Sequence, residues 1–158
     1  MPEARPDGLY SFAHDTWVGP MTYHGRYENG LREGPWEVSR ADGSHAWRTT
    51  WERGEWHGDS VSWWRNGQVE ESGQYDRGQH SGVWSFYFES GQLAARGRYE
   101  RDRKVGEWSY SDEEGNPMRY EDWETAYDEW DWAYDDYTGT PRGENWPTPP
   151  LGTRPIGT

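Results

Sequence analysis

The sequence predicts a mainly β protein: an elongated, single-sheet antiparallel meander of 24-residue hairpin repeats, followed by one C-terminal acidic amphipathic helix and an irregular tail. Three observations predict it. A 24-residue frame recurs without insertion or loss. Asp-Gly and Asn-Gly dipeptides fall at one fixed place in that frame. The residues on either side of them alternate with period 2, the signature of a strand.

The frame comes first, because an overlooked repeat mis-assigns the whole fold. Copies start at Gly25, Thr49, Gly73 and Gly97. Position 3 reads Tyr27, Trp51, Tyr75, Tyr99, and position 6 reads Gly30, Gly54, Gly78, Asp102. Position 10 is always glycine: Gly34, Gly58, Gly82, Gly106. Position 12 reads Trp36, Ser60, Trp84, Trp108, and position 19 reads Gly43, Gly67, Gly91, Gly115. An earlier fragment, Gly8–Phe12, matches Gly82–Phe86 and reads as a half-repeat capping the N-terminal edge.

Each copy reads as one hairpin. Asp42-Gly43 and Asn66-Gly67 predict two-residue turns in which both residues need positive φ. Trp84, Phe86 and Phe88 alternate with Val83, Ser85 and Tyr87 before the next such turn. A second turn near Asn29-Gly30 or Arg77-Gly78 closes the unit, which gives about eight to ten short strands in all. Glycine at position 10 is expected to let neighbouring backbones or rings approach closely. The boundaries follow: a cap over 1–24, repeats over 25–48, 49–72, 73–96 and 97–120, a helix over 121–137 and a Pro/Gly-rich tail over 138–158.

The helix is read from Trp123, Tyr127, Trp130, Tyr134 and Tyr137, whose spacing of 4, 3, 4, 3 marks one stripe. Its other faces carry eight carboxylates and no Lys or Arg. That is more than half of the net charge of -13. Crowded carboxylates destabilise an isolated helix. This one is therefore expected to dock on the terminal repeats or on a cationic partner. Gly139 and Pro141 supply a stop. The tail beyond is expected to be extended or disordered, with its isolated Trp146 as a docking residue.

Composition bounds the function. There is no Cys, which excludes disulfides and thiolate zinc sites. With 13 Trp and 11 Tyr, the core must be built from amphipathic aromatics. No apolar run approaches membrane-span length. The first residues lack the basic and apolar regions of a secretory signal, so a cytoplasmic location is expected. The net charge argues against nucleic acid and anionic membrane as partners and for a basic protein.

The repeat resembles the MORN-repeat family, and more closely its bacterial variant, in which units of the form G-x-Y-x-x-G-x-x-x-G-x-W-x-x-Y-x-x-x-G recur at about this period. The resemblance covers residues 25–120 well and 8–24 in part. Copy two departs from it: Ser60 replaces the Trp, and Trp63-Trp64 follow. The resemblance implies the meander fold. It further implies antitoxin-like proteins of the YwqK type, or scaffolds, and for some members phospholipid binding.

No catalytic constellation emerges. His14, His24, His45, His57 and His80 form no HExxH or HxxxH spacing, although His57 and His80 hold neighbouring loop positions. Serines have no identifiable His/Asp partner, and no Gly-rich phosphate loop precedes a helix. The chain is therefore read as a non-enzyme without cofactor or metal. If the position-3 and position-12 rings lined opposite faces, one aromatic face would stay exposed and mark a binding surface. The aromatics off the regular columns, Trp56, Trp63, Trp64, Tyr87 and Trp132, are the candidate partner contacts. The acidic candidates are Asp128, Glu129, Asp131, Asp135 and Asp136. The expected function is a protein-binding module that engages a basic partner, antitoxin- or immunity-like. The alternatives are an oligomeric scaffold and a carbohydrate or cell-wall binder.

Overall fold

The structure, a computed structural model, describes residues 5–16, 19–127 and 146–157. Ten strands follow one another in one open antiparallel sheet whose spatial order is the sequence order. They are β1 (Gly8–Thr16), β2 (Gly19–Glu28), β3 (Leu31–Arg40), β4 (His45–Glu52), β5 (Glu55–Trp63), β6 (Val69–Asp76), β7 (Gln79–Tyr87), β8 (Leu93–Glu100), β9 (Arg103–Ser111) and β10 (Pro117–Met118). Among the described residues one helix, α1 (Tyr120–Ala126), follows.

The two turns of each repeat exchange the roles expected of them. Asn29-Gly30, Arg53-Gly54, Arg77-Gly78 and Arg101-Asp102 are the two-residue turns, with φ between 49° and 82° at all eight residues. At Asp42-Gly43 and its equivalents only the glycine is left-handed. The hairpin there is longer. Arg40 N–H donates to the Ser44 carbonyl at 2.8 Å, and Gly43 N–H donates back to Arg40 at 2.9 Å. The Asp42 carboxylate accepts the Ser44 N–H at 2.8 Å, so the aspartate is chosen for its side-chain acceptor and not for positive φ. Arg77 holds a left-handed φ of 49° where copy one has Asn29. Arg77→Asn is expected to raise stability by about 0.5–1 kcal/mol, read as an increase in the urea midpoint, because asparagine tolerates that conformation better.

Glycine at position 10 is also required for a different reason from the one expected. A Cβ on Gly34 or Gly106 would meet nothing within 4 Å. Their φ values of 77° and 67° are what exclude other residues, and they lie beside the register shifts of the β2–β3 and β8–β9 pairs. Close approach belongs to position 1 instead. A Cβ on Gly25, Gly73 or Gly97 would fall 2.1, 2.1 and 2.0 Å from the Cδ2 of Trp36, Trp84 and Trp108.

Each of these indoles lies flat over its glycine and donates its N–H to the carbonyl of the next residue. The acceptors are Arg26 at 3.1 Å, Gln74 at 2.9 Å and Arg98 at 3.2 Å. The same Trp meets the position-3 Tyr of its own repeat edge-on, with centroids 5.2, 5.1 and 5.0 Å apart. Positions 3 and 12 therefore share one face, and the condition for an exposed second aromatic face is not met. Across a two-residue turn at positions 5 and 6, position 8 pairs with position 3, and two further even steps lead to position 12. The opposite face is polar, with a shallow groove lined by Arg48, Arg96 and Arg98 together with Val61 and Val83.

Copy two keeps the frame but changes both members of the stacked pair. Thr49 stands for the glycine and Ser60 for the Trp, and the two face each other across β4 and β5, both buried. Trp47 leans into the vacated space and donates its indole N–H to the Ser60 hydroxyl at 2.9 Å.

Candidate functional site

The aromatic face is largely covered by the chain's own C-terminal segments. Trp146 is buried, with 4% of its surface exposed, among Tyr23, Trp36, Trp47 and Trp51. Its centroid is 5.2 Å from those of Tyr23 and Trp51 and 5.5 Å from that of Trp47, so it fills the place left by the absent position-12 Trp of copy two. Arg32 pins it there by donating to the Trp146 and Pro147 carbonyls at 3.2 and 2.8 Å. Beyond it, Ile156 N–H donates to the Leu9 carbonyl at 2.6 Å, so the tail closes the outer edge of β1. The described part of the tail, residues 146–157, is docked and forms turns and irregular segments without helix or strand.

Position 8, which the sequence reading passed over, forms a second column: Arg32, Trp56, His80, Lys104. Arg32 lies 5.0–5.7 Å from the ring centroids of Tyr27, Trp36, Trp51 and Trp146. Burial pulls the Arg32 pKa down and pushes the Tyr27 hydroxyl up, while the attraction between the two works against both shifts. A guanidinium stays charged through such a change. The His80 ring packs against Tyr75, Trp84 and Tyr99, and its Nδ1 lies 2.7 Å from Asp102 Oδ1. His57 contacts Glu52 at 3.2 Å and Asp76 at 3.5 Å, so the two histidines take separate carboxylate partners. The signal that could have revealed this column is its fixed place in the frame, five residues after position 3, where two basic side chains, Arg32 and Lys104, flank two rings, Trp56 and His80.

The predicted site residues fall into three groups. Trp56 and Trp64 are buried, at 8% and 7% exposure, which corrects the expectation that they face a partner. Trp56 packs on Trp47, Trp51 and Tyr75 as a member of the position-8 column. Trp64 donates its indole N–H to the Tyr87 carbonyl at 3.0 Å and occupies the same frame position as buried Phe88. The strand of copy two is therefore not shifted. Trp63 and Tyr87 share the preceding frame position and are half-buried, Trp63 lying 5.6 Å from the His45 ring. Asp128, Glu129, Asp131, Trp132, Asp135 and Asp136 lie outside the described residues.

Helix α1 ends at Ala126, with Tyr127 as its C-cap. The rest of the helix expected over 121–137 lies outside the described residues. Its aromatic stripe begins as expected: Trp123 packs on Tyr110 at 5.1 Å and Tyr127 on Phe88 at 5.0 Å. The start of the helix thus docks on its own last repeats. This leaves Glu121, Asp122 and Glu124 exposed. Burial raises the Tyr127 hydroxyl, and the neighbouring Glu113, Asp112 and Glu114 carboxylates add to that rise, which places the 112–114 loop beside the helix. The Tyr110 hydroxyl is pushed up to about 12, first by burial and then by Tyr120 and Glu124.

Between β9 and α1 lies a cavity of about 180 Å³ lined by the rings of Phe86, Tyr99, Trp108, Tyr110, Tyr120, Trp123 and Tyr127, with Lys104 and Glu124 as its charged lining residues. Among the described residues no three His, Asp or Glu side chains gather closely enough to hold a metal ion. None of the described helices is long and apolar enough to cross a membrane.

The fold and its packed face define an open, single-sheet β-hairpin repeat protein. No protein-family model matches the chain, and no curated protein matches it.

Proposed function

We propose that this chain is a non-enzymatic protein-binding module of MORN-like hairpin repeats that engages a basic protein, in an antitoxin- or immunity-like role in the cytoplasm. The observation that carries this reading is the acidic end of the molecule. Trp123 and Tyr127 anchor α1 on the sheet, which leaves Glu121 and Asp122 exposed beside the carboxylates of the 112–114 loop. In sequence, residues 121–137 carry eight carboxylates and no Lys or Arg. A concentrated field of one sign steers an oppositely charged protein and fixes its orientation. The burial of Trp36, Trp51 and Trp84 in the regular columns supports an architectural role for the repeats, with recognition left to the end of the array.

The test is capture from extracts of the native host with the full chain, followed by affinity measurement on the captured protein. The expected partner is basic, and its binding weakens steeply with salt. Glu113→Gln, Glu114→Gln, Glu121→Gln and Asp122→Asn together are expected to reduce affinity about tenfold or more, mainly through the association rate. A partner that is acidic, or one that binds the variant as tightly, sinks this reading.

A second reading, a self-assembling scaffold, draws on β9. β10 pairs only with Ser111 and Tyr110 of β9, so the stretch before them carries no partner strand on that side among the described residues. Light scattering separates the two: a concentration-dependent oligomer favours the scaffold.

A further inference from the structure

We propose that the cavity between β9 and α1 is an aromatic cage for a methylated ammonium group. The proposal goes beyond the protein-binding reading and does not depend on it. Lys104 is the chain's only lysine. Its ammonium lies 4.9 Å from the Trp108 ring centroid, 5.4 Å from Tyr120 and 5.8 Å from Tyr110. The ring faces at this end of the sheet thus already hold one organic cation. The attraction is that of a positive charge for the negative face of an aromatic quadrupole.

The same arrangement occurs at the other end of the sheet, and the comparison is informative. There Arg32 sits among four rings, with Trp146 closing over it and two tail carbonyls accepting its N–H groups. At Lys104 the roof is α1 instead, and a cavity of about 180 Å³ remains beside the ammonium. That space is lined by seven rings, by the Lys104 side chain itself and by a single carboxylate, Glu124.

The lining selects a chemical class. A primary ammonium brings three N–H donors that each want an acceptor, and one carboxylate cannot satisfy them in an aromatic box. A quaternary ammonium brings none. It carries its charge on apolar methyl groups that pack against rings, with the carboxylate as counter-charge. The ligand is therefore a trimethylammonium group, either on a free small molecule or on a trimethylated lysine of a peptide.

The test uses the full chain and ligand-observed proton NMR, with choline, its neutral isostere 3,3-dimethylbutanol, and a trimethyllysine peptide beside its unmethylated form. Binding in the cage shifts the N-methyl protons upfield through ring currents. The trimethylammonium ligands are expected to bind about tenfold more tightly than their uncharged or unmethylated counterparts. Preference for choline over the peptide identifies a free small molecule as the source, and the reverse identifies a modified side chain. Lys104→Met removes the resident competing charge and is expected to tighten binding severalfold, whereas Tyr120→Leu and Glu124→Gln weaken it. Tyr120 and Glu124 are exposed, and circular dichroism checks that these variants fold. Equal binding of the neutral isostere, or no upfield shift with either the wild type or Lys104→Met, overturns the proposal.

Discussion

Gly73→Ala is expected to destabilise the protein by about 3 kcal/mol, near the upper end of what overpacking a core costs. The added Cβ would stand 2.1 Å from Trp84 Cδ2 and 2.3 Å from its Cε2, far inside contact distance. The backbone of Gly73 is held by its pairing with Ser60 of β5 and sits in the middle of the sheet. The indole must move instead. Trp84 is fully buried, so moving it breaks its 2.9 Å hydrogen bond to the Gln74 carbonyl and its edge-on contact with Tyr75.

Urea unfolding measures the loss. The diagnostic version is a double-mutant cycle. In a Trp84→Ser background the same Gly73→Ala change is expected to cost about 0.5 kcal/mol or less, since nothing is left to collide with. Copy two has already made the equivalent exchange, with Thr49 facing Ser60. If Gly73→Ala costs as much without the indole as with it, the stacking account of position 1 is wrong.

Trp146→Ala is expected to cost about 3–4 kcal/mol, as for other large aromatic truncations in a core. The residue is 114 positions from Arg32, yet Arg32 donates to its carbonyl. Truncation would empty the space over copy two, unpack one side of Trp47 and Trp51, and leave Arg32 with fewer rings around its charge. The indole N–H of Trp146 meets no acceptor among the described residues, so Trp146→Phe forfeits area but no hydrogen bond. It is expected to cost about 1 kcal/mol. Hydrogen exchange gives a second readout: the Ile156 amide, bonded to Leu9 at the edge of β1, should lose protection in Trp146→Ala and keep it in Trp146→Phe. Unchanged protection and unchanged stability in Trp146→Ala would show that the tail is held by something other than this plug.

The two predictions concern different kinds of information. Gly73 and Trp84 belong to the repeat frame, and their columns could be read along the chain, although the reason for the glycine could not. Position 10 looked like the close-approach site and proved to be the left-handed one. Both demands select glycine, and a sequence records only the selection. The same ambiguity affected the turns, where Asp-Gly served a longer, side-chain-bonded hairpin.

Trp56 and Trp64 were legible as irregular but not as buried. An irregular Trp in one copy is a partner contact or a local repair, and only the neighbours decide. The missing ring at Ser60 leaves space over copy two, and Trp47, Trp56 and Trp146 close around it. The position-8 column was legible in principle, since it keeps the frame. It was overlooked because its members share no chemistry until the rings around them are seen.

The sequence by itself determined the single-sheet meander, the helical stripe that begins at Trp123 and the acidity of the C-terminal end. Those follow from local periods and turn residues, which act over a few positions. Only the tertiary structure decided that both ring series share a face, that Trp146 closes the gap in copy two, and that α1 and Lys104 enclose a ring-lined cavity on the last repeat. These depend on strand register and on contacts between residues far apart in the chain, where close packing of bulky rings, not local preference, selects the partner.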